Sequence, residues 1–433
     1  MNDFFKEFPL VSEEEWKEQV ARDLKGSEPE EILNQTDPIE EISFDSCGFP
    51  SKDHIREIPG KAPYTRGGKI SDNEWDIINI IPSGTSQEMN KIILKRLMSG
   101  AAGLRIDLME FENNDLEILF RDIQFNYITT TFICRNKTQI DKLVSIQKEN
   151  PSMKGTLIWK GKGDYEKIEG FRDFLVDGTE VQRSGGNVSQ EIAYVLHEGH
   201  KTLFQLLKDG EKIDDAIARI KFRTGIGGNY FFEIAKIKVI RKLWSKIVDA
   251  YQPEHDCSKV AYIEAETGLL NKSLKDPHTN LLRQTTEALS AVIGGVNELT
   301  IIPYDWKSTN PELSKTQRQA TNIALMLKEE SYLNKVIDPA GGAYVVENLI
   351  TAIEQKSWEI FLRTEKEGLD FLGKSVRDTA KKRVNLLKNN ENILIGVNKF
   401  PDPKASDSEW LNPSETAFGE ELFLEAEFKK ETV

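Results

Sequence analysis

From Trp75 to about Pro303, short β-rich runs alternate with longer amphipathic runs, and this alternation limits the possible folds more than any other feature of the chain. A repeated strand–helix order implies parallel strands with their crossovers packed outside, which is α/β architecture. Eight candidate strands follow one another: residues 75–81 (WDIINII), 102–108, 126–133, 155–159, 172–177, 219–224, 260–265 and 298–303. Helical periodicity fills the gaps. Thr85-Ser86-Gln87-Glu88 reads as a capping box, in which the threonine hydroxyl takes an orphan amide and the glutamate returns the bond. Further helices are predicted at 189–208, 229–250, 280–293 and 313–329, with a short one at 163–170.

Eight β/α units close into a barrel more readily than they extend an open sheet. The expected architecture is a (β/α)8 TIM barrel over residues 61–400, with an N-terminal arm (1–60) and a C-terminal helical extension. The arm holds one amphipathic stretch, with Trp16, Val20 and Leu24 at helical spacing behind Ser12 as N-cap. It is expected to wrap a partner. Past the eighth unit one long helix is predicted from Val346 to Lys388, then a short strand ended by Gly396 and Pro401, then an acidic tail (401–433) that interleaves Glu and Phe.

A net charge of −14 argues against non-specific nucleic-acid binding and against docking on an anionic membrane. An anionic ligand would need a local basic site. The three cysteines, Cys47, Cys134 and Cys257, lie far apart and without metal-ligand spacing, which reads as free thiols in a reducing compartment. No apolar run approaches the ~18 residues of a membrane span, and the first residues lack the pattern of a secretory leader. A cytoplasmic protein is expected.

His197 and His200 share a helical face, but Glu198 is the only acid near them in sequence, so no metal is expected there. Three glycine clusters, Arg183–Asn187, Gly225–Asn229 and Ala340–Gly342, lack the Gly-Lys-Ser/Thr of a phosphate loop. The first two stand between a strand and the next helix. They are read as tight βα turns needing positive φ, with anion reception at the active face of a barrel as the competing reading.

The stretch Gly225-Ile226-Gly227-Gly228-Asn229-Tyr230-Phe231-Phe232-Glu233-Ile234-Ala235-Lys236 closely resembles a signature of the methylmalonyl-CoA mutase family. So do Ser189–Tyr194, Asp276–Arg283, Glu287-Ala288 through Gly294-Gly295, and Asp338–Tyr344, in the family's order and spacing over roughly residues 60–400. The resemblance implies a barrel that, in catalytic members, threads the CoA chain along its axis and is capped by adenosylcobalamin on a separate C-terminal domain.

The departures from that pattern are as informative. Catalytic members carry Arg-Gln-Tyr where this chain has Ile78-Asn79-Ile80, and their tyrosine helps position radical and substrate. They carry Gly-Tyr-His-Met-Gln-Glu where this chain has Gly178-Thr179-Glu180-Val181-Gln182-Arg183; an ionised Glu180 would repel charge developing on a thioester oxygen. Their substrate-facing His-Ser-Gln is replaced by Glu264-Ala265-Glu266, and their Gln and Arg after the fourth strand find no counterpart in Gly155–Trp159. No catalytic residue is therefore expected, and Ile78, Ile80, Thr179, Glu180, Glu264 and Glu266 stand as degenerate positions.

No histidine follows His278, and the stretch after Val397 is too short for a cobalamin-binding domain, so this polypeptide is not expected to hold the cofactor alone. Bulky candidates for the barrel interior (Ile77 or Ile78, Ile80 or Ile81, Leu157, Trp159, Phe174, Phe222) suggest an occluded axis.

The resemblance thus implies the small subunit of a heterodimeric, adenosylcobalamin-dependent isomerase, a pseudoenzyme barrel. It would be partnered by a homologous catalytic large subunit that holds the acyl-CoA and interconverts methylmalonyl-CoA and succinyl-CoA. Two alternatives stand beside it: an active acyl-CoA mutase barrel using a separately encoded cobalamin domain, and a CoA-binding regulatory module.

Overall fold

The computed structural model describes residues 11–25, 32–45, 57–109, 113–404 and 409–429; Cys47 and His54 lie outside them. The central sheet runs through β1 (Asp76–Ile80), β2 (Gly103–Asp107), β3 (Thr129–Cys134), β4 (Lys154–Trp159), β5 (Phe171–Arg172 and Phe174–Asp177), β6 (Ile220–Ile226), β7 (Ile263–Thr267) and β8 (Glu298–Thr300). Its pairs are all parallel. The two pieces of β5 are separated only by Asp173. The first pairs with β4 (Gly155 with Phe171), the second with β6 (Phe174 with Ile220), and β8 pairs with β1 (Thr300 with Ile78). The sheet therefore returns on itself as an eight-stranded barrel, as the sequence predicts.

Two sets of apolar contacts join the barrel to its helices. One packs Ile77, Phe222, Ile263, Leu299 and Ile301 against helices Val188–Lys208, Tyr230–Ala250, Thr279–Gly294 and Tyr344–Glu367. The other packs Ile81, Leu104, Ile106, Phe132 and Leu157 against helices Ser86–Met98 and Lys137–Glu149. Each fully buried Leu, Ile or Phe contributes roughly 1.5–3 kcal/mol. The Thr85–Glu88 capping box forms, and a second one, Asn187 with Gln190, starts helix Val188–Lys208.

Three predicted elements are corrected. Residues 163–170 form no helix, and β4 reaches β5 through an irregular loop. The long helix is two, Tyr344–Glu367 and Leu369–Lys388, because Gly368 adopts φ +83°, which L side chains avoid. The strand expected before Pro401 is a single bridge, Ile395 with Lys399.

Of the arm, Glu13–Asp23 is helical behind the Ser12 cap, and Asn34–Asp37 pairs with Ile42–Asp45 as a hairpin. The hairpin packs on this chain's own barrel. Ile42 is buried, Phe44 meets Phe232 edge-on at 5.8 Å, and Glu40 accepts from the Val188 amide at 3.0 Å at the start of a helix.

Burial pushes the Glu40 carboxyl up to about 7, more than the Arg383 guanidinium at 4.0 Å can offset. Between the ordinary value of 4.5 and 7 the folded state holds a proton that the unfolded state has lost. Stability should thus fall as pH rises through that window, by up to about 3 kcal/mol, and level off above it. Glu40→Gln keeps the acceptor for Val188 and should remove the fall. Melting curves of both proteins from pH 5 to 8 check this, and superimposable pH profiles would refute it.

Candidate functional site

Along each strand, alternate side chains face the axis, and β6, β7 and β8 each place charged residues there. Lys221, fully buried, sits 2.9 Å from Glu264 and 2.5 Å from Glu298, and donates to Thr156 at 3.1 Å. Arg223 reaches Glu264 at 3.2 Å and Asp177 at 3.1 Å. From β2, Arg105 donates one nitrogen to Glu264 and another to Glu266, the latter at 2.6 Å. Thr300 donates to Glu264 at 2.9 Å, and the Tyr262 hydroxyl to Glu298 at 2.9 Å.

Burial alone would raise the Glu264 carboxyl, but Arg223, Lys221 and Arg105 together hold it well below its ordinary value. An ionic lattice thus fills the axis where most barrels stack branched side chains.

This overturns part of the expected interior. Leu157, Trp159, Phe174 and Phe222 face the helix layer, not the axis. Of the isoleucines, Ile78 and Ile80 are the inward pair: Ile78 lies against Gly103, where a Cβ would come within 2.5 Å of it, and Ile80 lines the cavity above the lattice. Ile77 and Ile81 point outward.

That cavity, about 180 Å³, lies at the C-terminal mouth of the barrel, with Ile80, Arg105, Thr179, Gln182, Glu266 and Glu421 among its walls. Gln182 Oε1, Arg105 Nε and Arg183 Nε are buried there without a protein partner among the described residues, so it suits a few waters better than an acyl thioester. At the opposite mouth a pocket of about 620 Å³ opens between Lys154, Lys167, Arg172, Tyr262 and Glu298. Fully buried Lys221 and Glu264 separate the two along the axis.

A segment of the C-terminal tail covers the C-terminal mouth. The Ala417 amide donates to Glu180 at 2.9 Å, the Leu422 amide to the Arg183 carbonyl at 2.8 Å, and the Ser184 and Thr416 hydroxyls meet at 2.5 Å. Phe418 enters an apolar cluster with Val181, Leu372 and Val376 and meets the Tyr194 ring edge-on at 5.1 Å. Beyond it Glu425, fully buried, accepts from the Ser273 hydroxyl and the Leu274 amide, both at 2.9 Å.

Four of the six positions expected to be degenerate lie at this mouth, while Glu264 and Ile78 lie deeper along the axis. Ile80, Thr179 and Glu266 line the mouth cavity, Glu264 sits in the lattice, Ile78 lies beside Gly103, and Glu180 anchors the tail while pairing with Arg183 at 2.5 Å. The sequence reading missed Arg105, Lys221, Arg223, Glu298 and the covering residue Glu421. The signal for Lys221 and Arg223 was the alternation of charge within a buried β-run, Lys221-Phe222-Arg223, which Glu264-Ala265-Glu266 repeats with opposite sign.

Elsewhere, Gly185 has the positive φ expected of a βα turn, +84°, but none of Gly225, Gly227 and Gly228 does. Gly225 is small for another reason: a Cβ there would come within 2.7 Å of Gln182. His197 and His200 bond opposite oxygens of Glu365, at 2.6 and 3.2 Å. Among the described residues no set of three His, Cys, Asp or Glu side chains is disposed to hold a metal, and no helix is long and apolar enough to cross a membrane.

The family model for methylmalonyl-CoA mutase matches residues 159–426. A methylmalonyl-CoA mutase small subunit of Porphyromonas gingivalis is 30% identical, the alignment covering 92% of this chain and 71% of that protein. The small subunit of Propionibacterium freudenreichii subsp. shermanii is 24% identical, with 91% and 69% covered. A methylmalonyl-CoA mutase of Cereibacter sphaeroides is 24% identical, with 92% of this chain but only 65% of the relative covered. Among solved structures, Plasmodium falciparum HPPK-DHPS is similar at 13% identity and a TM-score of 0.33, over 64% of this chain and 50% of that one, which is too remote to carry an argument.

Proposed function

This chain belongs to the methylmalonyl-CoA mutase family, and we propose that within it the polypeptide is a non-catalytic small subunit, paired with a homologous catalytic large subunit that performs the acyl-CoA isomerisation. The observation that carries this reading is the closed axis. A mutase barrel must pass the thioester arm of its substrate along the axis, and here Lys221, Arg223, Glu264 and Glu298 occupy it as mutually paired charges.

The residues at the C-terminal mouth do not fit a corrin either. The face such a macrocycle would cover carries residues 414–424, tied down at Glu180, Arg183 and Ser184. At the position where catalytic relatives place an imidazole, Glu180 acts as a carboxylate acceptor for the tail.

The structural role expected of such a subunit is association. On size exclusion, this chain mixed with a homologous large subunit should elute as one complex. A monomer that ignores the partner would count against the proposal. A second reading, regulation by bound CoA, is favoured by the pocket at the N-terminal mouth with Lys154, Lys167 and Arg172 in its wall. Calorimetry with CoA separates the two, because only the regulatory reading requires saturable binding to this chain.

A further inference from the structure

Outside the barrel, the last turn of helix Ser86–Met98 and the body of helix Leu313–Leu325 form the walls of a cleft of about 300 Å³. Lys95, Arg96 and Ser99 come from the first wall, and Lys315, Arg318 and Asn322 from the second. Spacings of three and four residues bring each set onto one helical face. None of the described residues lining the cleft is acidic, in a chain whose net charge is −14.

Of the four cations only Lys315 has a carboxylate partner among the described residues, Glu312 at 3.0 Å. Arg96 is half-buried, and its guanidinium makes no hydrogen bond or ion pair among the described residues. Burial pushes its guanidinium below its ordinary value, and no neighbouring charge restores it. Arg105, Arg219, Arg223 and Arg241, by contrast, all donate to carboxylates or carbonyls.

A partly desolvated guanidinium facing other cations is unfavourable unless an anion joins them. Planar guanidinium groups pair best with the paired oxygens of phosphates, and the exposed Asn322 side-chain amide adds a neutral donor. We propose that this cleft is a binding site for the diphosphate group of a small phosphorylated ligand, separate from the barrel axis and from both of its mouths.

The test is calorimetric titration of the full chain with pyrophosphate and, in a second arm, with ADP, at low ionic strength. One saturable pyrophosphate site is expected, weakening steeply with added salt. Arg96→Gln and Arg318→Gln should each weaken it by about tenfold, the loss of one charge-assisted contact. Arg318 is exposed and has no ion-pair partner among the described residues, so its replacement leaves the fold intact and keeps the test decisive if Arg96→Gln folds poorly. Lys142→Gln, at a lysine paired with Glu117 outside the cleft, should change nothing. Equal affinity for the two ligands assigns recognition to the diphosphate alone, and tighter ADP binding assigns it to a nucleotide. No saturable binding of either ligand, or binding untouched by Arg318→Gln, would overturn the proposal.

Discussion

Lys221→Met is expected to destabilise the folded chain by about 3–5 kcal/mol, the cost of breaking a buried ion pair from one side. The methionine matches the lysine stem in volume, so packing changes little. What changes is charge: among the described residues Glu298 keeps only the Tyr262 hydroxyl as a close side-chain partner, and Glu264 loses the cation at 2.9 Å. Adding Glu298→Gln removes the stranded carboxylate and should recover at least half of the loss, a coupling of the size seen between residues in one network. Thermal unfolding of the single and double variants reads this directly. A loss below about 1 kcal/mol for Lys221→Met, the range of an exposed ion pair, would show that the lattice is solvated, not buried.

Acid should also weaken the lattice. Because Glu264 is held below its ordinary value of 4.5 in the folded state, its contribution is complete above that pH and is lost as pH falls toward the folded value. This sign is opposite to that of Glu40.

Phe418→Ala should release the tail from the barrel mouth. Removing a buried phenylalanine costs about 3–5 kcal/mol, and here the ring is held by Tyr194, Val181, Leu372 and Val376. Because the covering segment can open without unfolding the barrel, the loss should appear first as local opening. Exchange of the Ala417 and Leu422 amides, which donate to Glu180 and Arg183, should accelerate by a hundredfold or more, about 3 kcal/mol at a factor of ten per 1.4 kcal/mol. Amides inside β6 and β7 should change far less. Unchanged exchange at Ala417 would mean that Phe418 does not hold the cover in place.

The barrel was legible because its βα units carry their own periodicity, except the fourth, where residues 163–170 form no helix. All eight strands lie within a few residues of their predicted positions, and the capping box at Thr85 marks a real helix start. Which alternate of each strand faces the axis was not legible. A parallel strand is buried on both faces, so polarity does not separate inside from outside. In β6 the larger apolar residue, Phe222, looked like barrel filling, whereas it packs edge-on against Trp244 at 4.8 Å in the helix layer. Lys221 and Arg223 belong inside only because carboxylates from β5, β7 and β8 meet them, and those pairings lie 40 to 80 positions away in sequence. For the same reason, the Glu- and Phe-rich tail gave no hint that Phe418 and Glu425 are buried.

The most direct test of a closed, non-catalytic barrel is turnover of methylmalonyl-CoA with adenosylcobalamin. The purified chain would be measured alone, with a separate cobalamin-binding domain, and in complex with a homologous large subunit. The closed axis predicts activity only in the complex. Isomerisation by the chain without the large subunit, with or without the added domain, would contradict it.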